Sequence, residues 1–403
     1  MRIIHTSDWH IGHRLYENDR SNEFKDFTLW LLNLIDKEKI DVLIISGDIF
    51  DIPSPSNSAL EIYYNFLIKL NATYCSNVII TAGNHDSPST LEAPKELLKY
   101  LNISIIGKLP DNINDLLFEV KDKNDNKAII AAIPFLRERD IRKTKAGETF
   151  EEKINSIRTG IANIFNQVAE NTKEYRSNNI PIIATGHLFV LGSVSSDTER
   201  DIQVGNQGAV PISSLPKEID YYAFGHIHKP QKLSDLPLMY YSGSAIEISF
   251  AETKYDKKII ILDIENGNIS TNEVIIPKFR KLISLKGTFN DITEELNSIK
   301  FTDEDKNTPW IEINIEEENE IPLLSTLATD FITTFNKENN AKIIKQTIKY
   351  KNNIQDYSSI YSQTDSLDEL TTKEVFIKLI DSRNLPEEEN KNLIKYYDEL
   401  MEE

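Results

Sequence analysis

Cysteine is almost absent from this sequence of 403 residues, in which Cys75 is the single one. One thiol excludes an internal disulfide and a zinc cluster built on thiolates, so we expect a protein of the reducing cytoplasm. No apolar run approaches the roughly 20 residues that a helix needs to cross a bilayer, and we therefore expect no membrane segment. The sequence also lacks an internal repeat and a phosphate-binding GxxxxGK[ST] loop. Hydrophobic residues nevertheless make up 40% of the chain, which is enough for a sizeable core.

Positive charge is scarce as well. Lysine and arginine number 45 against 64 aspartates and glutamates, which gives a formal net charge of −19. Proteins that bind nucleic acid through its phosphates usually have an excess of basic residues, so the total charge argues against strong electrostatic binding of nucleic acid. The deficit is uneven, because residues 279–403 contain 26 acidic and 15 basic residues and hold −11 of the total. Bound cations would reverse the local sign wherever carboxylates form a metal site.

The first part of the chain alternates short apolar runs with helical patterns. Runs rich in β-branched and aromatic residues predict buried strands at residues 2–7, 41–46, 77–82, 180–185 and 219–224. Helical patterns lie between the early runs, at residues 22–38 and 57–71. This alternation predicts an α/β domain with largely parallel strands. Residues 237–276 are richer in strands and contain an ENGN turn that favours a hairpin, so we expect sheets packed face to face with helices outside.

The chain after Pro277 has a different pattern. Strand patterns at residues 280–288, 309–315 and 341–349 alternate with helical patterns at 290–299 and 321–337, which predicts a small α+β domain. After a polar break, two amphipathic helices are predicted at residues 366–381 and 386–402. The predicted domain limits are therefore 1–278, 279–352 and 353–403.

Polar residues stand at the ends of five predicted strands. They lie in the segments Asp8-Trp9-His10, Gly47-Asp48-Ile49-Phe50-Asp51, Gly83-Asn84-His85-Asp86, Gly186-His187 and Gly225-His226-Ile227-His228, which hold five of the seven histidines. Open α/β sheets place their active sites at such strand ends. One of these segments by itself fits a turn, a helix cap or an exposed histidine, but five in succession predict a single site. His5 precedes its strand end and is expected in the core or at an edge, while the role of His13 stays open.

The residue types at these strand ends predict metal chemistry. Carboxylate, amide and imidazole ligands without a thiolate suit Mn²⁺, Fe²⁺ or Zn²⁺ better than Mg²⁺. Seven candidate ligands are too many for one ion. Two ions about 3.5–4 Å apart, bridged by a carboxylate, form a clamp that hydrolyses phosphoesters. A neighbouring histidine can then stabilise the transition state or serve the leaving oxygen.

The motifs D-x-H, G-D-x-x-D, G-N-H-D, G-H and G-H-x-H, in this order, resemble the calcineurin-like metallophosphoesterase family. Longer segments resemble the SbcD family of nuclease subunits within it, namely TSDWHIG (6–12), FLRERD (135–140), GHIHKPQ (225–231) and YSGS (241–244). The resemblance covers essentially the whole chain. It implies an α/β fold with a β-sandwich flanked by helices, followed by a capping domain and C-terminal helices.

The resemblance also implies roles for individual residues. It assigns the first metal to Asp8, His10, Asp48 and His228, and the second to Asp48, Asn84, His187 and His226, so that Asp48 bridges them. His85 matches the family's catalytic histidine, which is not a ligand, and Asp86 is the candidate to orient it. Asp51 is expected to contact the metal ligands without binding a metal itself. Two divalent ions, with Mn²⁺ as the expected metal, are the implied cofactors.

The implied function is that of a DNA nuclease in repair, recombination and replication. The resemblance implies exonuclease activity on duplex ends and endonuclease activity on single strands or hairpins, together with an SbcC-type ATPase. It also implies a homodimer of this chain within a heterotetramer. The terminal segment would bind the coiled-coil base of the ATPase through Leu367, Leu370, Val375, Phe376, Leu379 and Ile380. Alternatively, these terminal helices pack on their own domain.

A locally basic segment at residues 135–145 is the candidate for direct contact with DNA phosphates. Its candidate residues are Arg137, Arg139, Arg142 and Lys143. The alternative is a solvated loop.

Two other functions compete with the nuclease. A phosphoesterase of the same fold acting on a small molecule or a protein is the first, but such an enzyme needs no capping domain and no terminal segment. A scaffold without catalysis is the second, and the complete ligand set argues against it.

Overall fold

The computed structural model describes residues 1–143, 145–195, 198–199, 209–301, 306–351, 393–394 and 396–397. The strands are β1 (Arg2–Thr6), β2 (Arg14–Leu15), β3 (Asn18–Asp19), β4 (Val42–Ser46), β5 (Asn77–Thr81), β6 (Ile103–Ile106), β7 (Leu117–Lys121), β8 (Lys127–Ala131), β9 (Ile182–His187), β10 (Tyr221–Gly225), β11 (Gln231–Asp235), β12 (Leu238–Tyr241), β13 (Lys258–Glu265), β14 (Asn268–Ile275), β15 (Leu282–Gly287), β16 (Trp310–Glu317) and β17 (Lys342–Tyr350). The helices are α1 (Ser21–Glu38), α2 (Asn57–Leu70), α3 (Pro88–Glu92), α4 (Lys95–Leu98), α5 (Glu138–Ile141), α6 (Phe150–Asn171), α7 (Lys173–Ser177), α8 (Phe289–Ser298) and α9 (Leu324–Glu338). Within these described ranges, no helix combines the length and the apolar character of a membrane span.

The structure divides into two compact units. The first comprises Met1–Ile283, a short segment that ends at Ile311, and Asn340–Ile344. The second comprises Ser284–Phe301, Glu312–Asn339 and part of the chain from Lys345 on. The domain limits inferred from the sequence stay a prediction.

Two six-stranded sheets form the centre of the first unit. One has the order β14-β13-β1-β4-β5-β6 and the other β11-β12-β10-β9-β8-β7. Strands β1, β4, β5 and β6 are parallel in the first sheet, and β12, β10, β9 and β8 are parallel in the second. The five strands and two helices predicted in the early part of the chain are confirmed. The predicted hairpin joins β13 to β14 through Asn266 and Gly267, whose φ angles are 52° and 81°.

Side chains alternate between the two faces of the first sheet. Leu43 and Ile45 of β4 pack in one apolar cluster with Phe27 of α1 and Phe66 of α2. Ile44, which points the other way, belongs to the cluster that includes the second sheet. Because a strand places successive side chains on opposite faces, one apolar run serves both layers. The second sheet in turn packs with α6, so the unit is a sandwich of two sheets between helices, as predicted.

The second unit has its own apolar contacts. The rings of Phe289 and Phe331 meet edge to face, with their centroids 5.9 Å apart. Phe301 and Phe335 make a similar contact at 5.8 Å. Helix α8 begins with a capping box, in which Thr288 and Asp291 satisfy each other's backbone amides. The strands and helices predicted between residues 280 and 349 are present as β15, α8, β16, α9 and β17.

His5 lies in the core, where it links the two sheets. Its Nε2 donates to the carbonyl of Phe224 over 3.2 Å, and its Nδ1 accepts from the hydroxyl of Tyr221 over 2.9 Å. Burial lowers the pKa of His5 to about 3. The neutral ring is therefore part of the folded state.

This burial predicts a pH dependence of stability. The stabilisation by neutral His5 is complete above the ordinary pKa of about 6.5 and is lost as the pH falls toward the folded value, by up to about 1.4 kcal/mol per pH unit. His5→Gln cannot be protonated, so we expect its urea midpoint to fall less than that of the wild type between pH 7 and pH 4.5. Equal slopes for the two proteins would contradict the assignment of His5 as a neutral core residue.

Candidate metal centre

The loops that follow β1, β4 and β10 carry unusual backbone angles. Asp8, His10 and Asp48 have φ angles of 49°, 49° and 50°, and His226 has 100°. These left-handed conformations cost a residue with a side chain about 1–3 kcal/mol and cluster at functional sites. Backbone bonds hold the loops together, since the amides of Asp8 and His10 donate to the carbonyls of Gly47 and Asp48 over 3.0 Å each. The strain marks the strand ends as a site before any side chain is considered.

Two glycines allow these loops to approach one another. A Cβ atom on Gly47, whose φ is 88°, would overlap the ring of His187. A Cβ atom on Gly83 would overlap the carboxylate of Asp48. Glycine therefore stands at both positions because neighbouring side chains occupy the space that a Cβ would need.

Asp8, His10 and His228 form one buried group of potential ligands. One ligand atom from each lies within 4.8 Å of the other two. The Nε2 atoms of His10 and His228 are 3.2 Å apart. Both oxygens of Asp8 accept from the backbone amide of His226, over 2.9 and 3.1 Å, which fixes the carboxylate. These are three of the four residues assigned to the first metal.

Asp8, Asp48 and His187 form a second buried group with the same spacing. The Nε2 of His187 lies 3.2 Å from Oδ2 of Asp48 and 2.9 Å from Oδ1 of Asn84. The same Asp48 oxygen is 3.7 Å from Nε2 of His10 in the first group. An Asp48 oxygen therefore lies near a histidine of each group, as a bridging carboxylate would, while Asp8 belongs to both groups.

The buried charges compensate each other. Burial lowers the pKa of His187, but the nearby Asp48 and Asp8 carboxylates outweigh it and raise that pKa to about 9. Burial raises the pKa of Asp48, yet His187 and His10 hold it well below its ordinary value. An ionised Asp48 is the form that binds a cation.

The histidine nitrogens fit a bound cation. Among the described residues, Nε2 of His226 is buried and has no hydrogen-bond partner. The Nδ1 atoms of His10 and His228 lie 3.4 Å and 3.3 Å from the carboxylates of Asp51 and Glu252. The Glu252 carboxylate favours a proton on Nδ1 of His228, which leaves the lone pair of its Nε2 for a cation. The unpartnered Nε2 of His226 and the close approach of the His10 and His228 Nε2 atoms, 3.2 Å apart, suit the dinuclear centre that the sequence predicts.

His85 lies beside the ligands and is held by backbone contacts. Its amide donates to Oδ1 of Asp48 over 2.8 Å, and its Nδ1 donates to the carbonyl of Asp51 over 2.7 Å. Its ring meets that of His10 edge to face, with centroids 4.7 Å apart. Nδ1 therefore carries a proton, and its bond to the Asp51 carbonyl fixes the orientation of the ring.

The predicted role of Asp86 as the residue that orients the His85 ring is wrong. The orienting acceptor is the Asp51 carbonyl. The Asp86 carboxylate instead accepts from the backbone amides of Gly83, Ile49 and Phe50 over 2.9, 3.1 and 3.0 Å. A carboxylate so close to several amides satisfies donors that would otherwise be buried unpaired. Asp86 therefore joins the loop after β5 to the loop after β4.

The basic side chains of residues 135–145 differ in their exposure and in their ion pairs. The side chain of Arg142 is 3% exposed and pairs with Glu138, at 2.9 Å, and with Glu148, so two carboxylates would compete with a DNA phosphate for it. Arg139 is 79% exposed and Lys143 is exposed. Arg137 is half-buried, with its Nη2 3.4 Å from the Asp86 carbonyl. Contact of these four residues with DNA stays a prediction, and Arg137, Arg139 and Lys143 are the three that are not paired with two carboxylates.

The predicted residues of the ATPase interface lie outside the described residues. They are Leu367, Leu370, Val375, Phe376, Leu379 and Ile380.

Two residues near the ligands were missed from the sequence. Glu252 and Lys257 are buried beside His228, and both contact it. Glu252 follows the segment YYSGSAIEISF (240–250) by two residues, but no metal-binding motif includes it. Their proximity to His228 arises from folding and not from spacing along the chain.

The chain is similar to known proteins of one family. The family model of the calcineurin-like phosphoesterases matches residues 1–230. The D subunit of the nuclease SbcCD from Escherichia coli (strain K12) is 34% identical over 323 residues, 78% of each chain. That of Bacillus subtilis (strain 168) is 31% identical over 327 residues, 80% of this chain and 81% of the relative. That of Rhodobacter capsulatus is 31% identical over 275 residues, 66% of this chain and 67% of the relative.

These matches confirm the predicted fold class and the enzyme class, a metal-dependent phosphoesterase. The family match spans all five strand ends that carry the ligand groups. The chain therefore belongs to the calcineurin-like phosphoesterase family and groups within it with the D subunits of the nuclease SbcCD.

Proposed function

We propose that this chain is a metal-dependent DNA nuclease, an exonuclease on duplex ends and an endonuclease on single strands or hairpins, in repair, recombination and replication. The observation that carries the proposal is the pair of buried ligand groups that share Asp8, with an Asp48 oxygen 3.2 Å from Nε2 of His187 and 3.7 Å from Nε2 of His10, and with His85 beside His10. The similarity to relatives named as parts of a nuclease supports DNA as the substrate.

The chain's own residues supply position and proton transfer. Asp8, His10, Asp48 and His228 would hold one divalent ion, and Asp48, Asn84, His187 and His226 would hold the other. When bound, such ions activate water and offset the charge that develops on the phosphate. His85, fixed through its Nδ1 proton on the Asp51 carbonyl, would in its imidazolium form donate the Nε2 proton to the leaving oxygen and become neutral. The donor set suits Mn²⁺, Fe²⁺ or Zn²⁺, and the family resemblance makes Mn²⁺ the proposed metal.

The acidity of the chain suggests a division of labour. Two divalent ions would add about four positive charges to the catalytic loops, but the chain as a whole carries −19. We therefore infer that the isolated chain binds DNA weakly and that an SbcC-type ATPase supplies most of the affinity of the complex for DNA. A salt dependence of DNA binding as steep for the lone chain as for the complex would overturn this inference.

The assembly rests on the family resemblance. We infer a homodimer of this chain within a heterotetramer with the ATPase, bound through the terminal segment from residue 353. The single cysteine suits a cytoplasmic location.

The proposed function is tested by cleavage of a labelled DNA hairpin in the presence of Mn²⁺. The purified chain is assayed alone and with its ATPase partner and ATP, and activity is expected to rise with both. Hydrolysis of a small phosphodiester without DNA cleavage under either condition would keep the metal centre but assign it to a smaller substrate.

Arg137 is the basic residue that we expect to bind a DNA phosphate. Among the described residues it forms no ion pair, and its buried Nη1 has no hydrogen-bond partner. Arg137→Ala should weaken DNA binding regardless of sequence and lower the slope of log K against log salt by about 1. The matched control is Lys121→Ala, which removes an exposed cation beside the start of β8, at the end of that strand away from Arg137. Equal losses for both variants would remove Arg137 from the DNA path.

A further inference from the structure

A buried ion pair lies behind one of the ligand groups. The side chains of Glu252 and Lys257 are 0% and 3% exposed, and their charged atoms are 2.6 Å apart. A buried ion pair gives little net stability, because desolvation offsets most of the attraction. Its presence therefore calls for a reason other than stability.

Glu252 acts on the ring of His228. Its Oε1 lies 3.3 Å from Nδ1 of His228. The hydroxyl of Thr198 donates to the same oxygen and lies 2.8 Å from the same nitrogen, so it can accept the ring proton as well. The other oxygen of Glu252 accepts from the amide of Ile248 over 2.9 Å, which fixes the carboxylate. The contacts of Glu252 and Thr198 with Nδ1 favour a proton there, which leaves the lone pair on Nε2.

Lys257 acts on the backbone of the same histidine. Its Nζ donates to the carbonyl of His228 over 3.0 Å, to the hydroxyl of Ser244 over 2.6 Å and to Glu252. An ammonium group has three hydrogens, and these three acceptors use all of them. The lysine thus fixes the main chain of His228 while the glutamate fixes its ring.

We propose that Glu252 and Lys257 are positioning residues that present Nε2 of His228 as a metal ligand. This rests on the proposed function, since it takes His228 to bind a metal. Histidines that bind metals commonly donate their other ring proton to a carboxylate, and loss of that partner typically weakens metal affinity 10- to 100-fold. Lys257 neutralises the carboxylate, so Glu252 supports the ring without becoming a competing ligand.

The test compares two double variants that both lack the buried charges. Glu252→Gln with Lys257→Met keeps the side-chain oxygen at residue 252 as an acceptor for His228. Glu252→Leu with Lys257→Met removes that oxygen at similar volume and leaves the Thr198 hydroxyl as the described acceptor beside Nδ1. We expect the second to bind Mn²⁺ about 10- to 100-fold more weakly than the first in calorimetric titrations. Thermal unfolding of both metal-free proteins checks that they fold equally. Equal Mn²⁺ affinities would overturn the proposal.

Histidine ¹⁵N spectra and the Mn²⁺ affinity of His228→Ala test the positioning role and the metal assignment separately. In the metal-free wild type, ¹⁵N spectra of labelled histidine are expected to show His228 protonated on Nδ1, with its signal assigned by His228→Ala. A His228 protonated on Nε2 would overturn the positioning role even if both double variants fail to fold. If His228→Ala itself leaves Mn²⁺ affinity unchanged, the metal assignment fails, which is a different result from failure of the ion pair.

Discussion

Replacement of Asp48 by alanine is expected to empty the metal centre and to reduce nuclease turnover below about one thousandth of the wild-type value. The Asp48 carboxylate lies 3.2 Å from Nε2 of His187 and 3.7 Å from Nε2 of His10, so its loss would remove the proposed bridge between the two ions. It also removes the acceptor of the His85 amide. The measurement is Mn²⁺ content by calorimetry and elemental analysis, alongside hairpin cleavage.

The control for this variant is Asp235→Ala, which removes an exposed carboxylate at the end of β11. Because Asp48 pairs with buried histidines, the variant also needs a thermal unfolding curve without metal. A folded Asp48→Ala protein that still binds two equivalents of Mn²⁺ with wild-type affinity would refute the bridging role.

His85→Gln is expected to behave in the opposite way, keeping its metals while losing turnover by a factor on the order of 10²–10⁴. The contact of His85 with Asp48 uses the backbone amide, which glutamine retains. The ring, whose Nδ1 is fixed by the Asp51 carbonyl, is what glutamine removes. Single-turnover cleavage at saturating Mn²⁺ separates this effect from a change in metal affinity.

A parallel fall of Mn²⁺ content and activity in His85→Gln would show that His85 had been misassigned. Asp48→Ala should lose its bound metal, whereas His85→Gln should keep its metal and lose turnover. Comparison of the two variants therefore distinguishes the two roles. Recovery of the cleavage activity of His85→Gln at a higher Mn²⁺ concentration would likewise assign His85 to the metal site.

Much of the fold and of the candidate site could be predicted from local sequence. The runs before Asp8, Asp48 and Asn84 are apolar and β-branched, and a strand can be inferred from such a run without knowledge of its neighbours. Because parallel strands end at one edge of a sheet, the polar residues that follow them could be placed together in advance. Gly83 and Gly47 mark the tight approach of these loops within the same motifs.

Some elements gave weaker signals. Helix α6 was not singled out, and it contains Gly160, a poor helix former. The structure explains this glycine, because a Cβ there would overlap the carbonyl of Ile141. Strand β7 lies at a sheet edge and is only partly buried, so its pattern is less distinct.

By itself, then, the sequence determined the strand ends, the metal-binding residue types and the family, because each depends on residues close together in the chain. Only the tertiary structure decided that Asp86 binds backbone amides, that Arg142 is held by two glutamates, and that Glu252 and Lys257 support His228. In these cases the decisive quantity is the distance between side chains on different loops and helices. Hydrogen bonds and ion pairs act over about 3–4 Å, and no spacing in the sequence reveals which groups folding brings that close.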